Sequence, residues 1–331
     1  MHCNLVLWDA LVLGQELFNL VKGQARRIVR RVALRLKQDQ GTNVFASLRL
    51  FGLGSFFQCS LTIQRRASPS PQVKDQIPAT YGPEMAARRF IYLGFDYLGM
   101  GDSPALPGEF KQSRYMFRLI ENTWDAVSYL GTLPFVEEIY GVGVCQGGSI
   151  IVTATWPICR SQLRALRCRR CTKPVNRMTS PPAAASASMQ KMYETREPDD
   201  VAPFGFNDEM SRQAFIDLCI NPMAGESYDY YGRDGVKGPV AVPNYSNMHI
   251  GDQGMQSLIS IGEAYADKIV QPSLTIYSKS TFTAICTTQF VEKLTNEREE
   301  LAFDEFGHVD FYYKSKAVKA STDAVAELFN K

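Results

Sequence analysis

The chain has 331 residues, of which 45% are hydrophobic, including 19 Phe and 15 Tyr, so it can bury one large core or two modest ones. A formal net charge of +2, from 36 basic and 34 acidic residues, selects no class of partner by itself. Eight cysteines at irregular spacing, with no recognisable secretory leader, point to reduced thiols rather than a disulfide framework, and no apolar run is long enough to span a bilayer.

Residues 1–72 read as an irregular N-terminal extension. Within it, Gly23 to Lys37 carries six basic and no acidic residues, with Ile28, Val32 and Leu36 at helical spacing. This is the pattern of a basic amphipathic helix, for which a solvated basic face is a simpler reading than a presequence, a membrane-surface helix or a nucleic-acid patch. Val44 to Leu48 and Phe56 to Ile63 have the composition of short strands without clear turns between them. Arg65 to Gln72 is a loop rich in Pro and Ser.

From Val73 the text becomes regular. Val73 to Arg88 leads into a helix, Phe90 to Asp96 reads as a buried strand, and Tyr97 to Pro104 is a Gly-containing loop. An amphipathic helix from about Ser113 to Leu130 and a strand beginning at Ile139 follow. Strand, crossover helix and strand predict a right-handed unit of a parallel sheet, with the two strands as direct neighbours.

The second strand runs into Gly143-Val-Cys145-Gln-Gly147 and then into another apolar run. A tight strand-to-helix turn with glycines two residues either side of a nucleophile is the arrangement of a nucleophile elbow, because a side chain at either position would collide across the turn. The pattern makes Cys145 a candidate nucleophile near the positive end of a helix, where an anion is favoured, and the Gln146 N–H a candidate oxyanion donor. A small buried cysteine in a Gly-rich strand end is the equally simple structural alternative.

Three ordered segments, Val73-Lys-Asp-Gln with Tyr81 and Met85-Ala-Ala, Gly94-Phe-Asp-Tyr-Leu-Gly-Met-Gly-Asp-Ser, and Gly143-Val-Cys-Gln-Gly-Gly, resemble the α/β-hydrolase superfamily. The resemblance is narrower to a dienelactone-hydrolase-related branch with Cys in the elbow, which includes fungal polyketide transferases and thiohydrolases. It covers roughly residues 73–155 and 215–330. It implies an α/β fold with a doubly wound, mostly parallel sheet and an inserted cap, and an ester or thioester hydrolase or acyltransferase acting on a small-molecule acyl substrate. It implies no cofactor, no metal, no nucleic acid and no integral membrane segment, with a role in polyketide or toxin biosynthesis and a cytoplasmic or, alternatively, peroxisomal location.

The hydrolase core is expected at residues 73–158 and 251–331, with a basic low-complexity linker and the cap at 159–250. In the linker, Ile158 to Cys171 is Arg-rich where the family would continue into a core strand, so it reads as a solvated basic segment or a distorted gene model. Cys168 and Cys171 have a CxxC spacing without a second pair to complete a zinc set. Residues 189–250 are rich in aromatics, among them Tyr193, Phe215, Tyr228, Tyr230, Tyr231 and Tyr245. They would serve either as the apolar walls of an acyl site or as ordinary core.

Towards the C-terminus, Ile269 to Tyr277 reads as a strand, Thr288 to Leu294 as a helix, Glu300 to Phe306 as a strand, and Ala317 to Phe329 as the closing helix. Between the last two lies Gly307-His308, where the resemblance implies the catalytic base; the chain has only three His. The loop Ser278 to Thr283, where the superfamily keeps its acid, holds no Asp or Glu, which leaves Asp310 as the substitute acid and Asp304 behind it. A second oxyanion donor would come from Gln64 to Val73, where no His-Gly motif stands. The vacant acid position, the irregular N-terminus and the basic linker also fit a non-catalytic, hydrolase-like scaffold.

Overall fold

The computed structural model describes residues 3–7, 44–51, 58–64, 73–105, 116–133, 136, 138–155, 163–169, 182–195, 197, 200–201, 209–218, 223–247, 249–250, 262–281 and 283–331. The basic helix expected at 23–37 and the second cysteine of the CxxC pair lie outside them.

In chain order the elements are β1 (Cys3–Leu7), β2 (Val44–Phe51), β3 (Gln58–Gln64), α1 (Ile77–Ala87), β4 (Phe90–Phe95), α2 (Met116–Gly131), β5 (Glu138–Val144) and α3 (Gln146–Thr155). They continue with β6 (Leu163–Arg169), α4 (Pro182–Thr195), β7 (Asp200–Val201), α5 (Arg212–Leu218), α6 (Ala224–Tyr231), β8 (His249–Ile250) and a 3-10 helix (Gly262–Lys268). The last are β9 (Ser273–Ser278), α7 (Ala284–Lys293), β10 (Arg298–Phe303), α8 (Asp310–Tyr313) and α9 (Ser315–Phe329).

Eight strands form one sheet in the order β1-β2-β4-β3-β5-β6-β9-β10, with β7 and β8 pairing apart from it. Among the described residues, only the β2–β4 pairing in this sheet is antiparallel. Side chains alternate across the sheet as the period of two requires. Phe90 and Tyr92 of β4 and Tyr140, Val142 and Val144 of β5 enter a core shared with α1 and α9. Leu93 and Ile139 enter the opposite core, built with α2, α3 and α7. Helices thus cover both faces, the doubly wound arrangement that the motifs imply.

The structure corrects three sequence expectations. Residues 1–72 are not merely an irregular extension, since they supply β1, β2 and β3. The basic linker contains β6, which pairs with β5 on one side and β9 on the other. The strands at Phe90 and Ile139 are not neighbours, because β3 lies between β4 and β5 and pairs in parallel with both. Central parallel strands are recognised by continuous apolar runs; Leu163–Arg169, with three Arg in seven residues, shows none, and the short run at Gln58–Gln64 reads as a strand without showing that it pairs between β4 and β5.

Several aromatics of the cap region belong to the core, whereas Tyr193 is exposed. Tyr230 and Tyr231 are fully buried and pack edge-on against Tyr312, and Tyr245 joins the same cluster. The cap closes over the start of α1: Gln76 Nε2 donates to the Lys237 carbonyl (2.7 Å), Lys237 Nζ to the Asp75 carbonyl (3.1 Å), and Asn244 Nδ2 to Asp75 Oδ2 (2.9 Å). Among the described residues no helix is long and apolar enough to cross a membrane.

Candidate active site

The strand order changes direction at β3, with β4 on one side and β5 on the other, and such a switch point opens a crevice at the carboxyl ends of the strands. Cys145 stands at that edge. It follows β5 directly, precedes α3, and has φ 59°, a left-handed conformation that a non-glycine residue adopts only under constraint. The constraint is visible at Gly143, where a Cβ would lie 2.5 Å from the Gly147 carbonyl oxygen and 2.6 Å from the Gly148 nitrogen. Strand end and helix start are in backbone contact, and the Gly148 N–H donates to the Cys145 carbonyl at 2.9 Å. Gly143 of the Gly-x-Cys-x-Gly pattern therefore does the steric work expected of it. Gln146, buried beside Cys145, is the first residue of α3, so its amide is one of the four that an α-helix cannot bond internally.

The connection into α1 and the loop after β4 are locked together beside this edge. Asp96 is buried at the end of β4, and its carboxylate accepts from the Lys74 amide (2.6 Å), from Lys74 Nζ (3.0 Å) and from the Asp102 amide (3.1 Å). Lys74 Nζ also pairs with Asp102 and, at 3.3 Å, with Asp75. Burial alone would lower the Lys74 pKa, but the facing carboxylates of Asp96, Asp102 and Asp75 outweigh it and hold the ammonium above its ordinary value. Gly101, at φ 54°, is required because a Cβ would meet the Asp96 carboxylate at 2.5 Å.

His308 lies in the loop after β10 and so at the same carboxyl edge, because β5, β6, β9 and β10 run parallel. Cys145 belongs to the same contiguous buried cluster as Val309, Phe311 and Tyr312. The His308 Nε2 is 2.7 Å from the Tyr312 hydroxyl, with the donor set by the tautomer. Asp310, the expected acid, has another arrangement: Oδ2 accepts from the Gly307 amide at 3.0 Å and Oδ1 pairs with Lys314 at 2.7 Å, so it closes the turn around His308. That pairing raises the Lys314 pKa. Asp304 forms a surface pair with Lys279 at 3.5 Å.

A carboxylate that sequence reasoning missed reaches the His308 loop from α6. Glu226 Oε2 accepts from the Val309 amide at 3.0 Å. No local pattern in the sequence marks it, since its partner is 83 residues away. Among the described residues no group of three or more His, Cys, Asp or Glu is placed to hold a metal ion.

No family model and no curated protein matches the chain. Solved structures do. DcsB, solved in complex with a substrate analogue, is similar at 16% identity and TM-score 0.64 over 86% of this chain and 93% of its own. The α/β-hydrolase GrgF of Penicillium sp. sh18 is similar at 16% identity and TM-score 0.62 over 85% and 92%. A monoacylglycerol lipase of Paleococcus ferrophilus is similar at 13% identity and TM-score 0.57 over 86% and 98%. The chain has the α/β-hydrolase fold.

Proposed function

We propose that the protein is an ester or thioester hydrolase or acyltransferase that works through Cys145 and His308. The observation that carries this reading is the left-handed Cys145 on a strand-to-helix turn whose glycines touch, at the sheet edge that also bears the Gly307-His308 loop. A buried structural cysteine has no need of a strained backbone at this position.

In the proposed reaction His308 accepts the Cys145 thiol proton as the sulfur attacks the acyl carbon, forming a C–S bond and a tetrahedral oxyanion. The Gln146 N–H stabilises that oxyanion. Collapse breaks the bond to the leaving alcohol or thiol, which takes the proton from His308 and leaves an acyl-cysteine. Water, or an acceptor alcohol, then attacks the acyl carbon while His308 accepts its proton. The C–S bond breaks and the proton returns to sulfur. The Tyr312 hydroxyl holds the ring at Nε2, and the exchange with sulfur and the leaving group would run through Nδ1.

An ester-type substrate fits the lipase and the hydrolase among proteins of the same fold. The resemblance of the elbow to Cys-bearing polyketide transferases and thiohydrolases favours an acyl thioester of secondary metabolism. Two of the features that favoured a non-catalytic scaffold, an irregular N-terminus and a strandless linker, are absent from a sheet that includes β1, β2, β3 and β6. The test is turnover of S-acetyl-N-acetylcysteamine together with iodoacetamide labelling. Wild type should turn over and label at Cys145 ahead of the other cysteines, Cys145→Ala should abolish turnover, and His308→Ala should cost on the order of a hundredfold. Wild type with neither turnover nor selective labelling would refute the reading.

A further inference from the structure

The two backbone amides flanking His308 are each held by a carboxylate, and the two carboxylates come from different parts of the chain. Asp310 takes the Gly307 amide from within the loop, and Glu226 takes the Val309 amide from α6. The contact with Glu226 is close on both sides of the histidine. A Cβ at Gly307 would lie 2.8 Å from each oxygen of the Glu226 carboxylate, so the carboxylate is pressed against the Gly307 backbone as well.

Glu226 is the third residue of α6, where a Glu ordinarily turns back to cap its own helix. Here it reaches to the His308 loop, and the N-cap residue Met223 makes no side-chain cap. Glu226 thus stands in the first turn of α6, where an acidic side chain suits the helix dipole. One turn further along α6, Tyr230 and, next to it, Tyr231 pack against Tyr312, the residue that contacts the His308 ring.

We infer that Glu226 is a positioning residue that sets the His308 loop, acting through the Val309 amide and the Gly307 backbone instead of the imidazole, and so makes the proton-transfer geometry depend on the cap helix. This rests on the Cys145–His308 reading above. It also gives a physical reason for the vacant acid position after β9: the loop is held by carboxylates on its backbone, and the ring by Tyr312.

The experiment measures kcat and KM for S-acetyl-N-acetylcysteamine, the rate of Cys145 alkylation by iodoacetamide, and thermal unfolding, on the full chain. Glu226→Ala should lower kcat and the alkylation rate about ten- to a hundredfold, the size of effect that follows from displacing a catalytic group by about 1 Å, with KM little changed. Glu226→Gln keeps an acceptor for the Val309 amide and should recover most of the loss. Should Glu226→Ala fail to fold, Gly307→Ala tests the same contact from the other side, since its methyl meets the carboxylate. It should reproduce the loss in the wild-type background and add little in a Glu226→Asp background, where the carboxylate is withdrawn by one methylene.

Loss of thermal stability with kcat and alkylation unchanged in Glu226→Ala, or equal losses in Glu226→Ala and Glu226→Gln, would overturn the inference while leaving the Cys–His reading intact. Absence of selective Cys145 alkylation and of turnover in the wild type would remove the reading itself and the inference with it.

Discussion

A single methyl at Gly143 is the sharpest test of the elbow. The Cβ of Gly143→Ala would meet three backbone atoms, the Gly147 carbonyl oxygen (2.5 Å), the Gly147 carbonyl carbon (2.6 Å) and the Gly148 nitrogen (2.6 Å). None of these can swing away as a side chain could, so the first turn of α3 must separate from the end of β5. Overpacking of this kind costs about 1–3 kcal/mol. Lower entropy of the unfolded chain offsets about 0.4–1 kcal/mol, leaving a net loss on the order of 1–2 kcal/mol. The larger effect should be chemical. Opening the turn moves both the Cys145 sulfur and the Gln146 amide, and a displacement of about 1 Å costs on the order of a hundredfold in rate.

Urea denaturation and iodoacetamide labelling of Cys145, followed by mass spectrometry, report the two quantities separately. Gly94→Ala, on β4, is the control, because its Cβ would approach Pro78 Cβ of α1 at 2.7 Å and its nearest neighbours include no atom of the turn. It should lose stability and keep its labelling rate. If Gly143→Ala is as stable as wild type and labels equally fast, strand and helix are not in the contact described and the steric account of the elbow is wrong.

Other substitutions test neighbouring parts of the argument. At φ 59° a glycine is relieved of the left-handed penalty, so Cys145→Gly should be more stable than Cys145→Ala by about 1 kcal/mol, the reverse of the usual order; equal stabilities in denaturant would deny the strain. Lys74→Met strands the buried Asp96 carboxylate and should cost about 3–5 kcal/mol in denaturant unfolding. The raised Lys74 pKa also has a signature in pH. Its stabilisation is complete below 10.5, the value in the unfolded chain, and is lost as pH rises through the higher folded value, so the alkaline fall in urea midpoint should be smaller in Lys74→Met. Tyr312→Phe keeps the ring contacts with Tyr230 and Tyr231 but removes the hydroxyl from His308, and should lower kcat by up to about tenfold without raising KM; unchanged kcat would make that hydrogen bond incidental.

Local chemistry made part of the site legible in the text. Gly143 is needed because its backbone touches that of Gly147 and Gly148, and that requirement lies within six residues, so a reading of spacing reaches it. The strand at Phe90–Phe95, the elbow strand Glu138–Val144 and the closing helix Ser315–Phe329 were equally readable, since each carries its own apolar period. The placement of His308 after the last strand followed from motif order. What pairing decides was not readable. Backbone hydrogen bonds join β3 to β4 and β5, and β6 to β5 and β9, without regard to side chains, so the place of β3 in the sheet could not be read from its composition and the Arg-rich β6 left no apolar signature at all. The carboxylates around His308 show the same division: Asp310 is visible because it is two residues away, yet only the folded chain reveals that it closes the turn, and only tertiary packing brings Glu226 from α6 to the Val309 amide.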